Sequence, residues 1–211
     1  MIRVYLVRHG QTLWNAEGRC QGRMNIELSP LGRSQAARLA GVLAAVPLAA
    51  IYSSPLIRAW DTALAIAAPH RLPVVPVADL HEIDLGVWEG LTEGEITQRF
   101  GDVVARRRRD PEHVVPLEGE SLHEVQARAL RAVEEILARH DDATIAVVAH
   151  GAVNKMVLLS ALDAPLSSYW RIRQDNAGIS IVDVYGIHRV VRVMNETAHL
   201  ADIGEERAAA E

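Results

Sequence analysis

The sequence predicts an α/β protein of three layers, in which helices cover both faces of a mostly parallel sheet. Short apolar segments alternate with longer segments whose apolar residues recur at helical spacing, a pattern that favours parallel strands joined by helices. Residues 145–149 are apolar throughout, as expected for a strand buried on both faces. No internal repeat or linker is visible in the 211 residues. We therefore expect one domain at residues 1–200, followed by a loose tail at 201–211.

The first half of the chain supplies three predicted strands and two predicted helices. Residues 2–7 form an apolar strand, and residues 8–29 contain the glycine and asparagine typical of a long loop. Ser29 and Pro30 begin a helix that ends before Pro47, because serine caps helix N-termini and proline is tolerated at the first helical position. The elements that follow are a strand at 50–53, a helix at 55–68, a strand at 74–77 and an acidic loop at 81–90.

Two capping boxes and a closing pair of strands organise the second half. Thr92 with Glu95, and Ser121 with Glu124, have the spacing at which each side chain bonds the backbone of the other. They predict a short helix after residue 92 and a longer one that ends near residue 139. The remaining elements are the strand at 145–149, a helix to about residue 162, and paired strands at 179–184 and 189–193.

The composition weighs against nucleic acids and membranes as partners. The net charge is −5, whereas surfaces that bind nucleic acids or anionic membranes are basic. No apolar run approaches the roughly 20 residues of a membrane span, and the N-terminus shows no signal-peptide pattern. Because Cys20 is the only cysteine, no intrachain disulfide can form and a cytoplasmic location is expected. The oligomeric state stays open, with a homodimer among the alternatives.

Ionisable side chains follow several of the predicted strands. Arg8 and His9 end the first strand, Arg58 follows the second, and His150 follows the last strand of the parallel set. Glu82 lies in the acidic loop after the third strand. Since ligands of open α/β sheets bind beyond the carboxyl ends of the strands, we expect these five side chains to converge on one site.

This set of side chains suits the transfer of a phosphoryl group. Guanidinium forks bind the oxygens of a phosphate dianion, and an imidazole with a free lone pair can attack phosphorus to form a covalent intermediate. A second, cationic histidine would stabilise charge on the phosphoryl oxygens. A carboxylic acid can protonate the leaving alkoxide and then accept a proton from water. No metal-binding motif is present, so we expect neither a metal nor a cofactor.

The residues around these positions resemble the histidine phosphatase superfamily, the phosphoglycerate-mutase-like phosphohydrolases. The resemblance covers about residues 2–180 and implies a phosphoglycerate-mutase-like fold. The matching segments, in chain order, are RHGQTLWN from Arg8, QG at Gln21, LSPLG from Leu28, SSPLIRA from Ser53, EIDLGVWEG from Glu82, GES at Gly119 and VAHG from Val148.

The resemblance assigns a role to each matching position. It implies that His9 is the phosphorylated nucleophile and that Glu82 is the proton donor and acceptor. The remaining residues would bind the phosphate or line the site; they are Arg8, Asn15, Gln21, Gly22, Arg58, His150, Gly151 and Ala152. The expected partner is therefore a small phosphorylated substrate.

The acid motif favours a phosphatase over a mutase. Mutase relatives carry a longer insertion after this motif, with basic residues for the substrate carboxylate, whereas the segment at 89–118 is short. Four consecutive arginines, Arg106–Arg109, lie in this segment. They would either recognise a second anion on the substrate or form a solvated helix face; 21 of the 22 basic residues of the chain are arginine, which favours the second interpretation.

The sequence leaves the substrate open. We favour a metal-independent phosphatase of broad specificity. The alternatives are an α-ribazole-phosphate phosphatase of cobalamin biosynthesis, whose sequences resemble residues 174–177 and 195–200, and a cofactor-dependent phosphoglycerate mutase. A protein that only binds phosphorylated ligands is disfavoured because Arg8 and His9 are both present. A dinucleotide-binding oxidoreductase is disfavoured because no G-x-G-x-x-G follows the first strand.

Overall fold

A six-stranded sheet forms the centre of the molecule in a computed structural model that describes residues 1–201 and 203. Its strands are β1 (Ile2–Arg8), β2 (Leu48–Ser53), β3 (Val74–Pro76), β4 (Ala143–Ala149), β5 (Ile179–Tyr185) and β6 (His188–Glu196). Their order across the sheet is β3-β2-β4-β1-β5-β6. The first four strands are parallel to one another, and the hairpin of β5 and β6 adds to β1 in the antiparallel sense.

The register brings the carboxyl ends of three strands together. Arg8 at the end of β1 pairs with Ala149 at the end of β4. Ser53 at the end of β2 pairs with Val148 on the other side of β4. The residues that follow these strands therefore meet at one edge of the sheet, as the sequence predicts.

Helices cover both faces of the sheet. The α-helices are α1 (Leu13–Ala16), α2 (Pro30–Leu43), α3 (Ile57–His70), α4 (Glu93–Arg109), α5 (Leu122–Leu137) and α6 (Gly151–Ala161). Alternate residues of β4 serve two hydrophobic cores: Ile145 and Val147 pack with α5 and α6, whereas Ala146 and Val148 pack with α2 and α3. The three-layer prediction is confirmed. Among the described residues, no helix has the length and apolar character to cross a membrane.

The structure differs from the sequence-based prediction in two segments. The loop predicted at 8–29 contains α1, because the Thr12 side chain accepts from the Asn15 N–H while the Asn15 side chain accepts from the backbone of Thr12. The short helix predicted after residue 92 is the 17-residue α4, which is interrupted by non-helical backbone at Phe100. Apart from residues 201 and 203, the tail predicted at 201–211 lies outside the described residues.

Candidate active site

His9 and His150 face each other at the carboxyl edge of the sheet. Their ring centroids are 5.1 Å apart with an interplanar angle of 57°. Both side chains are buried, His9 at 2% and His150 at 0% exposure. The pair therefore lies at the base of a site shielded from bulk water.

The loop after β1 fixes the orientation of the His9 ring. Nδ1 of His9 donates to the carbonyl oxygen of Gly10 at 2.7 Å, which leaves the lone pair on Nε2. A Cβ atom at Gly10 would lie 2.5 Å from the carbonyl oxygen of Gly32, so only glycine fits where this loop crosses the start of α2. Burial, followed by the charges of Arg58 and Arg8, holds the pKa of His9 well below its usual value. His9 is therefore neutral and can act as a nucleophile near pH 7.

His150 makes its hydrogen bond from the opposite side of the site. Its Nε2 lies 2.8 Å from the hydroxyl of Ser54, and its buried Nδ1 has no partner among the described residues. Burial and the neighbouring charges of Arg58, His9 and Arg8 hold its pKa well below the usual value. This favours the neutral ring, whereas the sequence-based mechanism used a cationic second histidine. A neutral ring that accepts the Ser54 hydrogen at Nε2 presents an N–H at Nδ1.

The two arginines predicted for the site are each anchored to backbone carbonyls. Arg8 Nη1 donates to Gln174 O at 2.6 Å, and Arg58 donates to Met24 O at 2.7 Å and to Gly22 O at 2.8 Å. In the described part of the chain, the buried Nε atoms of both arginines have no hydrogen-bond partner. Burial lowers the pKa of Arg58 to about 10, which still leaves it charged at neutral pH. These nitrogens and Nδ1 of His150 are unpaired donors suited to an anion.

Glu82 reaches the site beside the start of α6. Its Oε1 accepts the Ile83 N–H at 2.9 Å and the Ala152 N–H at 3.2 Å. Gly151 lies between this carboxylate and Arg8: an added Cβ there would be 3.8 Å from Glu82 Oε2 and 3.7 Å from Arg8 Nε. The structure therefore brings the carboxylate close to the cation at the end of β1.

The remaining predicted residues form the wall beside α1. Asn15 Oδ1 accepts from the Thr12 backbone at 3.1 Å, so its amide nitrogen stays available as a donor. The Thr12 hydroxyl donates to Gln21 Oε1 at 2.8 Å. Gly22 has a φ of +50°, a region that favours glycine, and its carbonyl anchors Arg58. All ten predicted site residues are close to one cavity: nine line it directly, and the ring of His150 lies against that of His9.

Hydrogen bonds from residues 174–176 and 195 hold the loop after β1 in place. The sequence resemblance drew attention to these residues but did not indicate a mechanistic role for them. The Asn176 amide donates to His9 O at 3.2 Å and to Asn15 Oδ1 at 3.1 Å. Asn195 accepts the Asp175 N–H at 2.7 Å and donates to the Asp175 carboxylate at 2.7 Å. Sequence reasoning missed this role, since the contacts of Asn176 with His9 and Asn15 join residues more than 150 positions apart.

Arg128 of α5, which sequence reasoning also missed, holds the acidic loop in place. Its guanidinium donates to the carbonyl oxygens of Asp79 at 2.8 Å, His81 at 2.5 Å and Glu82 at 3.1 Å. Both Nε and Nη2 donate to the Glu120 carboxylate, at 2.7 and 2.8 Å. One buried ion pair therefore fixes the backbone that carries Glu82.

The cavity above these residues has a volume of about 630 Å³. Its outer wall is largely aromatic and apolar; the residues are Trp88, Ile96, Val104, Tyr169 and Trp170.

The four consecutive arginines, Arg106–Arg109, do not share one environment. Arg107 is buried and lies against the cavity wall, with its guanidinium 5.7 Å from the Trp88 ring centroid. Arg108 also lines the cavity. Arg106 and Arg109 are exposed and do not line it.

Known proteins share both the sequence and this fold. The sequence model of the histidine phosphatase superfamily (branch 1) matches residues 4–197. Phosphoserine phosphatase 1 of Hydrogenobacter thermophilus is 35% identical over 202 residues, which cover 96% of each chain. A second group of curated relatives, from Mycobacterium bovis and Mycobacterium tuberculosis, is 39% identical over 200 residues, and our chain spans about half (55%) of their length.

Solved structures agree with these matches. YhfR of Bacillus stearothermophilus has a TM-score of 0.90 at 37% identity, over 95% of our chain and 100% of its own. Phosphoserine phosphatase of Entamoeba histolytica, in complex with 3-phosphoglyceric acid, has a TM-score of 0.85 at 32% identity, over 95% and 100% of the two chains. Since these matches extend over nearly the whole chain, the protein belongs to the histidine phosphatase superfamily and is a phosphoric monoester hydrolase.

Proposed function

We propose that the enzyme hydrolyses phosphomonoesters in two steps through a phosphohistidine at His9, without a metal, and accepts more than one substrate. The observation that carries this proposal is the hydrogen bond from His9 Nδ1 to Gly10 O, which leaves Nε2 as a nucleophile. Three unpaired buried donors, on Arg8, Arg58 and His150, lie around it. Together they supply the attacking atom and the binding groups for a phosphoryl group.

In the first step, the lone pair of His9 Nε2 forms a bond to phosphorus as the bond from phosphorus to the ester oxygen breaks. The protonated Glu82 carboxyl gives its proton to that oxygen, so the product leaves as an alcohol. The donors of Arg8, Arg58 and His150, with the Asn15 amide, stabilise the charge on the transferring oxygens.

In the second step, Glu82, now a carboxylate, takes a proton from water. The hydroxide formed attacks phosphorus, and the electron pair of the N–P bond returns to His9. Inorganic phosphate leaves, and both residues regain their starting states. Each charge in this cycle is handled by a side chain of the site, so the mechanism needs no metal ion.

Substrate breadth follows from the shape of the site. The phosphate-binding groups occupy only the base of a cavity of about 630 Å³, so the wall leaves room for alcohols of different size. The α-ribazole-phosphate alternative rests on the resemblance of residues 174–177 and 195–200. Residues 174–176 and 195 hold His9 and Arg8 in place, and any phosphomonoester substrate would need that role, so the resemblance does not favour α-ribazole phosphate. The mutase alternative stays a prediction that a product assay decides.

The proposed partner is thus a small phosphorylated molecule and not a nucleic acid or a membrane. We propose a cytoplasmic location on the strength of the single cysteine. The proposal holds for a monomer or a homodimer.

The test is to trap the intermediate. Reactions of the wild type with a phosphate-labelled substrate, quenched with alkaline detergent, should leave label on the protein that is stable to alkali and lost when the denatured protein is then acidified, as expected for a phosphoramidate. His9→Ala should carry no label and should not release phosphate from p-nitrophenyl phosphate. His188→Ala, at an exposed histidine on β6, is the matched control and should behave as the wild type. Full turnover by His9→Ala would overturn the mechanism.

A further inference from the structure

The only lysine of the chain lies in the catalytic cavity. Lys155 is on α6, four residues after Gly151, and residues four apart share one face of a helix. That face carries Gly151 next to Arg8 and Glu82, and Lys155 lines the same cavity one turn further from the phosphate-binding groups. Its ammonium group lies 4.3 Å from the ring centroid of Tyr169 and 5.3 Å from that of Trp170.

Lys155 differs from the other cations of the cavity. Five arginines also line the cavity, and each donates to a carboxylate or a backbone carbonyl; they are Arg8, Arg19, Arg58, Arg107 and Arg108. Within the described residues, the Lys155 ammonium has no hydrogen bond or ion pair and lies close to two aromatic rings. It is therefore a cation in the cavity that the protein itself leaves without an anionic partner.

Keeping such a group half-buried is unfavourable. Burial, followed by the positive charge of Arg8, lowers the pKa of Lys155 to about 8, while Glu82 opposes the shift. A partly desolvated ammonium is stabilised by an anion and by aromatic faces. Among the described residues, Lys155 has two aromatic faces but no carboxylate within ion-pair distance. A ligand anion at this position would complete the arrangement.

We propose that Lys155 binds a carboxylate of the substrate, so that the preferred substrates are small phosphomonoesters with a carboxylate a few bonds from the ester oxygen. This inference rests on the proposed function, which places the phosphoryl group between His9 and Arg8. A single ammonium matches the single charge of a carboxylate. A second phosphate dianion would need several donors at this position, where Lys155 offers a single ammonium group.

The test compares substrates that differ in the carboxylate alone. The pairs are 3-phosphoglycerate with glycerol 3-phosphate, and O-phosphoserine with O-phosphoethanolamine. In Lys155→Met, kcat/KM for the carboxylate member of each pair should fall about ten- to hundredfold, mainly through KM. The other member, and p-nitrophenyl phosphate, should change less than about threefold because the phosphate contacts remain.

Two further variants serve as controls. Lys155→Arg keeps the charge and should retain most of the carboxylate preference. Arg106→Met removes an exposed arginine that does not line the cavity, so its kinetics should match the wild type.

Each alternative outcome has its own meaning. Equal losses on both members of a pair, or no loss on either, would overturn the assignment of Lys155. A wild type that hydrolyses p-nitrophenyl phosphate but shows no preference within the pairs would also overturn it, and the proposed function would stand. A wild type that hydrolyses no phosphomonoester would overturn the proposed function and this inference with it.

Discussion

The hydroxyl of Ser54 lies 2.8 Å from Nε2 of His150, on the side of the ring away from the unpaired Nδ1. Ser54 follows β2 and His150 follows β4, so the contact exists only because these strands are neighbours in the sheet. A hydroxyl that donates to Nε2 sets the tautomer in which Nδ1 carries the hydrogen. In the proposed mechanism, Ser54 is therefore a positioning residue for the donor that His150 offers to phosphate.

Ser54→Ala should lower kcat/KM for p-nitrophenyl phosphate about tenfold or more, because a buried imidazole nitrogen loses its partner and the tautomer is no longer fixed. Inhibition by vanadate should weaken in parallel. The control is Ser34→Ala, an exposed serine on α2 that should have no effect. A Ser54→Ala enzyme with wild-type vanadate affinity would show that the hydroxyl does not orient His150.

Glu82→Gln should separate substrates by their leaving groups. Glutamine keeps the size of the side chain but cannot give a proton to the leaving oxygen, so kcat for glycerol 3-phosphate should fall by about 10²–10⁴. p-Nitrophenyl phosphate should lose far less, since nitrophenolate leaves without protonation. The exposed Glu135→Gln is the matched control. Equal losses on both substrates would remove Glu82 from the general-acid role.

Arg128→Met should combine lost stability with the same leaving-group signature. The change removes the donor to three loop carbonyls and the buried cationic partner of the Glu120 carboxylate. Breaking a buried pair in this way costs about 3–5 kcal/mol of unfolding free energy, which urea titration measures. Because the loop carries Glu82, glycerol 3-phosphate should lose more activity than p-nitrophenyl phosphate. A stability loss with an unchanged ratio of the two activities would mean that Arg128 supports the fold alone.

Sequence reasoning found the site residues whose position follows from the strand order. It missed the residues that reach the site only through side-chain contacts between distant parts of the chain. Arg8, His9 and His150 could be predicted to meet, because the carboxyl ends of parallel strands share one edge of a sheet. The Ser54–His150 and Arg128–Glu82 contacts join residues 96 and 46 positions apart. No local pattern encodes such a pair.

The neutral state of the two histidines was also beyond the sequence. The identities of His9 and His150 predict a site, but their pKa values depend on how deeply the sheet edge is buried and on how close the arginines lie. The arginine cluster shows the same limit, since burial of Arg107 beside exposed Arg106 follows from the side of α4 that faces the cavity. Patterns of residue type locate a site, and packing decides the protonation and the accessibility of its members.

Folding stability should fall as the pH drops below about 6.5. The pKa values of His9 and His150 are lowered in the folded state, whereas in the unfolded chain a histidine titrates near its ordinary value of about 6.5. Below that pH the unfolded state binds more protons, so the free energy of unfolding decreases with falling pH. Each histidine should contribute about 1.4 kcal/mol per pH unit once its unfolded form is protonated and its folded form is not.

Urea titrations between pH 5 and 7, in buffers free of phosphate, measure this slope. His9→Gln should reduce it by about 1.4 kcal/mol per pH unit, since glutamine does not titrate. His188→Gln, at an exposed site on β6, is the matched control and should leave the slope unchanged. Carboxylates whose pKa is lowered in the folded state, such as Asp183 beside Arg3, change the free energy of unfolding at lower pH, from about 3.9 downward. They therefore do not mask the difference in slope between the wild type and His9→Gln. A slope in His9→Gln equal to that of the wild type would mean that folding does not lower the pKa of His9, which would contradict the effect ascribed here to its burial and to the charges of Arg58 and Arg8.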